Sequence, residues 1–129
     1  MANLTIIIPA RNDEFDIAET VSKIIDTVTV DYEILIVNDH STDKTRDIAN
    51  GLVDKYRKTA IKVIDSLMAP SFVNALMSGV TCAKTTFFIP VMADLCDTPE
   101  TINLMYSKIS EGYDIVVGSR YSGSGRRMG

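Results

Sequence analysis

The sequence predicts a three-layer α/β domain, a mostly parallel sheet with helices on both faces. Five short runs of branched apolar residues alternate with four stretches of helical periodicity, an order that implies right-handed crossovers between parallel strands. The second run, Tyr32 to Val37, is almost continuously apolar, as a strand covered on both faces must be. Every run then ends in a polar turn, so the chemistry-bearing residues collect at the carboxyl edge of the sheet, where open α/β folds bind ligands.

Leu4 to Pro9 is the first strand and Arg11 to Glu14 its turn; an apolar stripe at Ile17, Val21, Ile24, Ile25 and Val28 makes the first helix. The second strand breaks into Asn38, Asp39, His40, Ser41, Thr42 and Asp43, after which helical spacing resumes at Ile48, Leu52 and Tyr56. Ser41 and Thr42 have the chemistry of helix N-caps, and Asp43 suits the positive end of a helix dipole. Ile61 to Ile64 is a third strand ending at Asp65 and Ser66. Pro70 and Ser71 open a helix whose buried side is read as Phe72, Val73, Leu76, Met77 and Val80, with Gly79 allowing close approach to a neighbour.

Thr86 to Val91 is the fourth strand, although Pro90 lacks an amide hydrogen and marks a strand end or an irregularity. Thr98 as N-cap and Pro99 at the first helical position start a helix with Ile102, Met105, Tyr106 and Ile109 facing inward. Gly112 stops that helix, and Asp114 to Val117 is the fifth strand, ending at Gly118, Ser119 and Arg120.

A chain of 129 residues that is 46% hydrophobic suffices for one domain with a real core and is too short for two ordinary ones. Residues 1–118 are read as that domain and 119–129, rich in Gly, Ser and Arg, as a tail. With 17 acidic and 13 basic residues the net charge is −4, which disfavours duplex nucleic acid as a general partner, since phosphate binding rests on clustered cations. Cys82 and Cys96 lack zinc-site spacing and are expected to be reduced thiols of a cytoplasmic protein. The N-terminal apolar segment is too short for a signal peptide and no stretch is long enough to span a bilayer, so a soluble or peripheral protein is expected.

Arg11, Asn12, Asp13, Asp39, Asp65, Asp94, Ser119 and Arg120 each follow a strand and should converge on one rim. Carboxylates brought together from different strands can accept hydrogen bonds from a nucleobase and ribose, or hold a divalent cation against phosphates. The same residue types also cap helices without any ligand. Capping is the preferred reading for Ser41, Thr42, Asp43 and Thr98, while both readings stand for Asp39 and Asp94. The absence of GxGxxG, and of GxxxxGK followed by Ser or Thr, removes the usual phosphate-binding loops. His40 is the only histidine, so a metal centre of several imidazoles and a Ser, His and Asp triad have little to work with, and His40 reads as a surface turn residue.

Five segments resemble one family in order and spacing. IIIPARNDE, VNDHSTDKT, NALMSG, ADLCDTPETI and YDIVVGSRY are similar to the motifs of the GT-A glycosyltransferases of family 2, including VDDGSTDGT at the second turn and DADLQ at the fourth. The GSRY ending resembles the dolichol-phosphate mannose synthase and polyprenol-phosphate glycosyltransferase branch. The resemblance implies a Rossmann-like nucleotide-sugar site. By position, Pro9, Arg11, Asn12 and Asp13 would lie near the nucleoside, and Asp39 would accept from the base. Asp94 would face metal and pyrophosphate, and Ser119 and Arg120 would meet donor or acceptor phosphates. Asp94 and Arg120 are the catalytic candidates and Asp94 the metal ligand, with Mg²⁺ or Mn²⁺ held weakly or only with nucleotide. The implied partners are a UDP- or GDP-sugar and a polyprenyl phosphate acceptor, at the cytoplasmic face of the membrane through peripheral contact or a further C-terminal part.

Three departures from the family pattern stand out: Arg11 for an aromatic residue, Asn38 for the first acid of its pair, and Met92 for the first acid of the metal motif. A thioether is a poor ligand for these oxygen-seeking cations. The sequence also stops just after GSRY, whereas the family normally continues into the acceptor-binding region, so the chain is expected to be a donor-binding half with 119–129 as the start of that region. The alternatives are a nucleotide-sugar-binding module without turnover and a phospho-receiver domain, the latter lacking a Lys after its fifth strand.

Overall fold

The computed structural model describes residues 4–85, 87–93 and 100–110. These form β1 (Leu4–Ala10), α1 (Ile17–Thr27), β2 (Tyr32–Asn38), α2 (Thr45–Lys55), β3 (Ile61–Asp65), α3 (Phe72–Cys82), β4 (Phe87–Pro90) and α4 (Glu100–Ser110). The strands make one parallel sheet in the order β3-β2-β1-β4. The expected fifth strand and the tail after it lie outside the described residues.

Every residue of β1 is buried, which is what its central place and its apolar run dictate. Alternation splits its side chains between two cores. Leu4, Ile6 and Ile8 join Ile17, Val21 and Ile24 of α1, Ala49 and Leu52 of α2, and Ile102 of α4 on one face. Ile7, with Leu35 and Val37 of β2, meets Ala75 of α3 on the other. The domain thus has three layers, as expected. After β3 the chain crosses to the far face through α3 and returns beside β1, so the strand order reverses between β1 and β4. Their carboxyl ends border the crevice in which such sheets take ligands. The order also removes the receiver alternative, whose sheet runs 2-1-3-4-5.

The buried side of α3 differs from the expectation. Ala75, Ser78 and Gly79 face the sheet, Leu76 and Val80 are half-buried, and Phe72, Val73 and Met77 are exposed. Close approach is the reason: a Cβ on Gly79 would lie 2.6 Å from Ile7 Cγ2 and 3.2 Å from Val37 Cγ2, so only small residues fit that face. Gly79 therefore does what its position suggested, and large apolar neighbours are displaced outward. Ser71 caps the helix, its Oγ accepting from the Asn74 amide at 3.0 Å.

The start of α2 is also corrected. It begins at Thr45, and neither Ser41 nor Thr42 caps it. Asp43 takes part of that duty, accepting from the Thr45 amide at 2.9 Å. At β4 the ladder continues past Pro90, since the Val91 amide donates to Ile7 O at 2.8 Å. In α4, Ile102 is buried and the Tyr106 ring meets Phe87 edge-on at 6.2 Å, while the side chains of Met105 and Ile109 lie outside the description. No helix among the described residues is long and apolar enough to cross a membrane. Cys82 is an exposed free thiol.

Candidate functional site

Parallel pairing sets Ala10 beside Asn38 and Asn38 beside Asp65, so the turns after β1, β2 and β3 stand side by side on one rim. Pro9 is buried within β1; Arg11 and Asn12 are exposed and Asp13 half-buried in the turn that follows. The structure brings these four together with Asp39. Asp94, Ser119 and Arg120 lie outside the described residues, as do Cys96 and Thr98. Ala93, which precedes Asp94 in sequence, is anchored through its carbonyl, which accepts from Thr20 Oγ1 of α1 at 2.6 Å.

The first two turns interlock by hydrogen bonds between residues some thirty positions apart. The Asn12 amide donates to Ser41 Oγ at 3.0 Å and the Thr42 amide to Asn12 Oδ1 at 2.8 Å. The Asp13 amide donates to Thr45 Oγ1 at 2.8 Å and the Glu14 amide to Asp43 Oδ2 at 3.3 Å. Ser41, Thr42 and Thr45 thus serve the neighbouring turn. Asn12 has φ 53° and His40 φ 58°, a left-handed backbone that costs a residue with a Cβ roughly 1–2 kcal/mol.

Asn38 ties the second turn to the third. Its Nδ2 donates to Asp65 Oδ1 at 3.0 Å, its Oδ1 accepts from the Ser41 amide at 3.3 Å, and its carbonyl accepts from the Ser66 amide at 2.9 Å. Arg46 Nε reaches the same Asp65 oxygen at 2.9 Å. Hydrogen bonds from Asn38 and Arg46 hold the Asp65 carboxyl below its ordinary range against partial desolvation. At Asp43, desolvation pushes upward, but hydrogen bonds from the Thr45 hydroxyl and amide and the Glu14 amide outweigh it and hold the group low. Both are therefore carboxylates at neutral pH.

Asp39 is the exception on this well-satisfied rim. Its amide is used, donating to Ala10 O at 2.8 Å, and the residue is only 3% exposed. Its Oδ1 is shut off from solvent and has no hydrogen-bond partner. A buried polar oxygen left without a donor is costly, and native structures keep such an atom mainly where something else supplies the donor.

The model of the family described as glycosyl transferase family 2 matches residues 5–128. The chain belongs to glycosyl transferase family 2. Among its family 2 relatives, an uncharacterized glycosyltransferase of Synechocystis is 36% identical over 126 residues, covering 95% of this chain and 39% of its own. A Pyrococcus furiosus dolichol-phosphate mannosyltransferase is 33% identical over 124 residues, 95% of this chain and 34% of its own. The chain thus spans little more than a third of the length of these relatives. The fold is shared with the Pyrobaculum calidifontis mannosyltransferase solved with GDP-Man and Mn²⁺, at TM-score 0.76 and 18% identity over 85% of this chain and 33% of that one.

The resemblance to family 2 singles out Asp39 as a candidate, but it offers no sign of what Asn38, Ser41, Thr42 and Thr45 do. Their partners are distant in sequence, and no local spacing encodes them. The described residues also contain no group of three His, Cys, Asp or Glu side chains that could hold a metal ion. Met92, half-buried, stands where the pattern has an acid. These residues alone do not fit a divalent cation.

Proposed function

We propose that this chain is the donor-binding part of a glycosyltransferase and holds a UDP- or GDP-sugar at the carboxyl rim of β2, β1 and β4. The unpartnered, buried Asp39 oxygen carries this reading, because both uracil and guanine present ring N–H donors that would satisfy it. Pro9, Arg11, Asn12 and Asp13 flank the nucleoside, with Asp94, Ser119 and Arg120 assigned to the diphosphate side. Transfer follows when an acceptor oxygen attacks the anomeric carbon in line and the nucleoside diphosphate leaves. The acceptor proposed is a polyprenyl phosphate at the cytoplasmic face of a membrane, on the support of the dolichol-phosphate relative and the GSRY motif. Mg²⁺ or Mn²⁺ would need oxygen ligands beyond the described residues, namely Asp94 and the donor's phosphates, and no step is derived through it.

A module that binds nucleotide sugar without turnover is the second reading, favoured by Met92 in place of an acid. Calorimetric titration with GDP-mannose and UDP-glucose, in Mn²⁺ buffer, tests the site on wild type and Asp39→Asn. The variant keeps shape but turns one carboxylate oxygen into a donor and leaves the other a neutral amide acceptor, so affinity should fall by about 10-fold, the lower end of what a hydrogen bond to a charged group is worth. Its melting temperature should stay level or rise, because a buried orphan charge is removed. Equal affinity in the two proteins would reduce Asp39 to a turn residue. Sugar release or transfer to polyprenyl phosphate then separates the enzyme from the module.

A further inference from the structure

Among the described residues two that carry side chains adopt the left-handed backbone, and each uses its side chain to bind the next turn. Asn12 does so from the first turn to the second through its Oδ1 and the Thr42 amide. His40 does so from the second to the third: its Nε2 lies 2.7 Å from Met68 O, and because a carbonyl only accepts, the ring nitrogen is the donor. Glycine, the residue that VDDGSTDGT carries at this position, would take the same backbone without strain and would cut this link. A side chain kept at a backbone position that disfavours it calls for a compensating contact, and Met68 O is that contact.

The β3–α3 loop that receives the bond is held at its other points too. The Leu67 amide donates to Ser78 Oγ at 3.0 Å, and Asn74 Nδ2 donates to Ala69 O at 2.9 Å. These bonds tie the loop to its own helix. At the loop's start the Ser66 amide donates to Asn38 O at 2.9 Å and Ser66 Oγ lies 3.4 Å from Met68 O, so among the described residues His40 adds the one direct and shorter bond from the loop's middle to the turn bearing Asp39, the residue next to it in the chain. The stretch Ser66 to Ala83 has no charged side chain, so no ion pair shares that task.

We propose that His40 is a positioning residue: its ring latches the β3–α3 loop to the Asp39 turn and so preorganises the carboxylate for the nucleotide. The positioning role rests on the donor-site reading, whereas the latch itself does not. His40→Gly removes the ring and relieves the backbone; His40→Gln keeps an N–H donor at about the same reach. Two readouts are needed, affinity for GDP and UDP by calorimetry and amide hydrogen exchange at Leu67, Met68 and Ala69.

In His40→Gly these amides should exchange faster and the affinity for the bound nucleotide should fall about fivefold, the factor of one net neutral hydrogen bond, with no drop in melting temperature. His40→Gln should restore both, which a loss of general stability would not explain. Unchanged exchange and affinity in His40→Gly would overturn the proposal, as would a His40→Gln protein that behaves like His40→Gly. Wild-type protein that binds neither GDP nor UDP would overturn the donor-site reading and the positioning role with it, while loop exchange would still decide whether the latch exists.

Discussion

Replacing Asn38 by the acid that the family pattern has there should destabilise this chain, by an amount that depends on pH. In Asn38→Asp the donor 3.0 Å from Asp65 Oδ1 becomes a second carboxylate oxygen. A hydrogen bond to a charged group is worth about 1.5–3 kcal/mol, and two like charges about 4 Å apart repel by about 1 kcal/mol in water and about 4 kcal/mol near a protein surface. The Asp65 side chain is 55% exposed and already paired with Arg46, so solvent and guanidinium keep the loss at the lower end, about 2 kcal/mol at pH 7. In wild type the depressed Asp65 pKa contributes stability above the unfolded carboxyl value near ~3.9, lost as pH falls through the folded one. In the variant each carboxyl raises the other, so the penalty is full at neutral pH and fades as pH falls towards about 4. Urea unfolding at pH 7 and pH 3.5 measures both, and Asn38→Asp with Asp65→Asn should recover most of the loss. A pH-independent difference, or no recovery in the double variant, would refute the role given to Asn38.

Gly79→Ala should cost about 1–2 kcal/mol in urea unfolding, since its Cβ would press 2.6 Å from the branched methyl of buried Ile7 and overpacking exceeds the gain in helix propensity. Gly51→Ala, with nothing within 4 Å, should instead stabilise by up to about 1 kcal/mol; a matching sign at the two sites would show that α3 does not pack this closely. Met92→Asp should strengthen Mn²⁺ binding in the presence of GDP or UDP, at a modest cost in melting temperature because the site is half-buried. A large drop in melting temperature without tighter Mn²⁺ binding would make Met92 a packing residue.

What was legible in the sequence was local or periodic. The buried runs of β1 and β2 follow from nearly uninterrupted apolar residues, the Ser71 cap from a Ser immediately before the helical spacing begins at Phe72, and the close seat of α3 from Gly79. The burial of α3 was misjudged because residue size outweighs hydropathy when helix and sheet are this close: Ala75 and Ser78 fit under the helix, whereas Phe72 and Val73 do not. Ser41 and Thr42 were misassigned for another reason. A hydroxyl before a helical stretch satisfies the capping pattern, but here Ser41 Oγ accepts from the Asn12 amide of the turn after β1, and Thr42 donates its amide and hydroxyl to Asn12 Oδ1. Strand adjacency created those pairings, and adjacency is a property of the fold.

The contrast between Asp39 and its neighbours bears on where function sits. Asp43 and Asp65 are turn carboxylates of the same kind, yet each has its donors within the chain, and those donors hold its proton affinity low. They complete the scaffold and have little left to offer a ligand. Asp39 is held by its backbone alone, in a frame of hydrogen bonds that runs from Asn12 through Ser41 and Asn38 to Asp65, with its buried oxygen unclaimed. A frame so fully satisfied around one unsatisfied atom fixes that atom's position in advance, which would lower the ordering cost of binding a nucleotide at the proposed donor site. Rigid turns and a costly orphan oxygen are therefore two sides of one arrangement, and a substitution that supplies Asp39 with an internal donor should stabilise the fold while weakening the site.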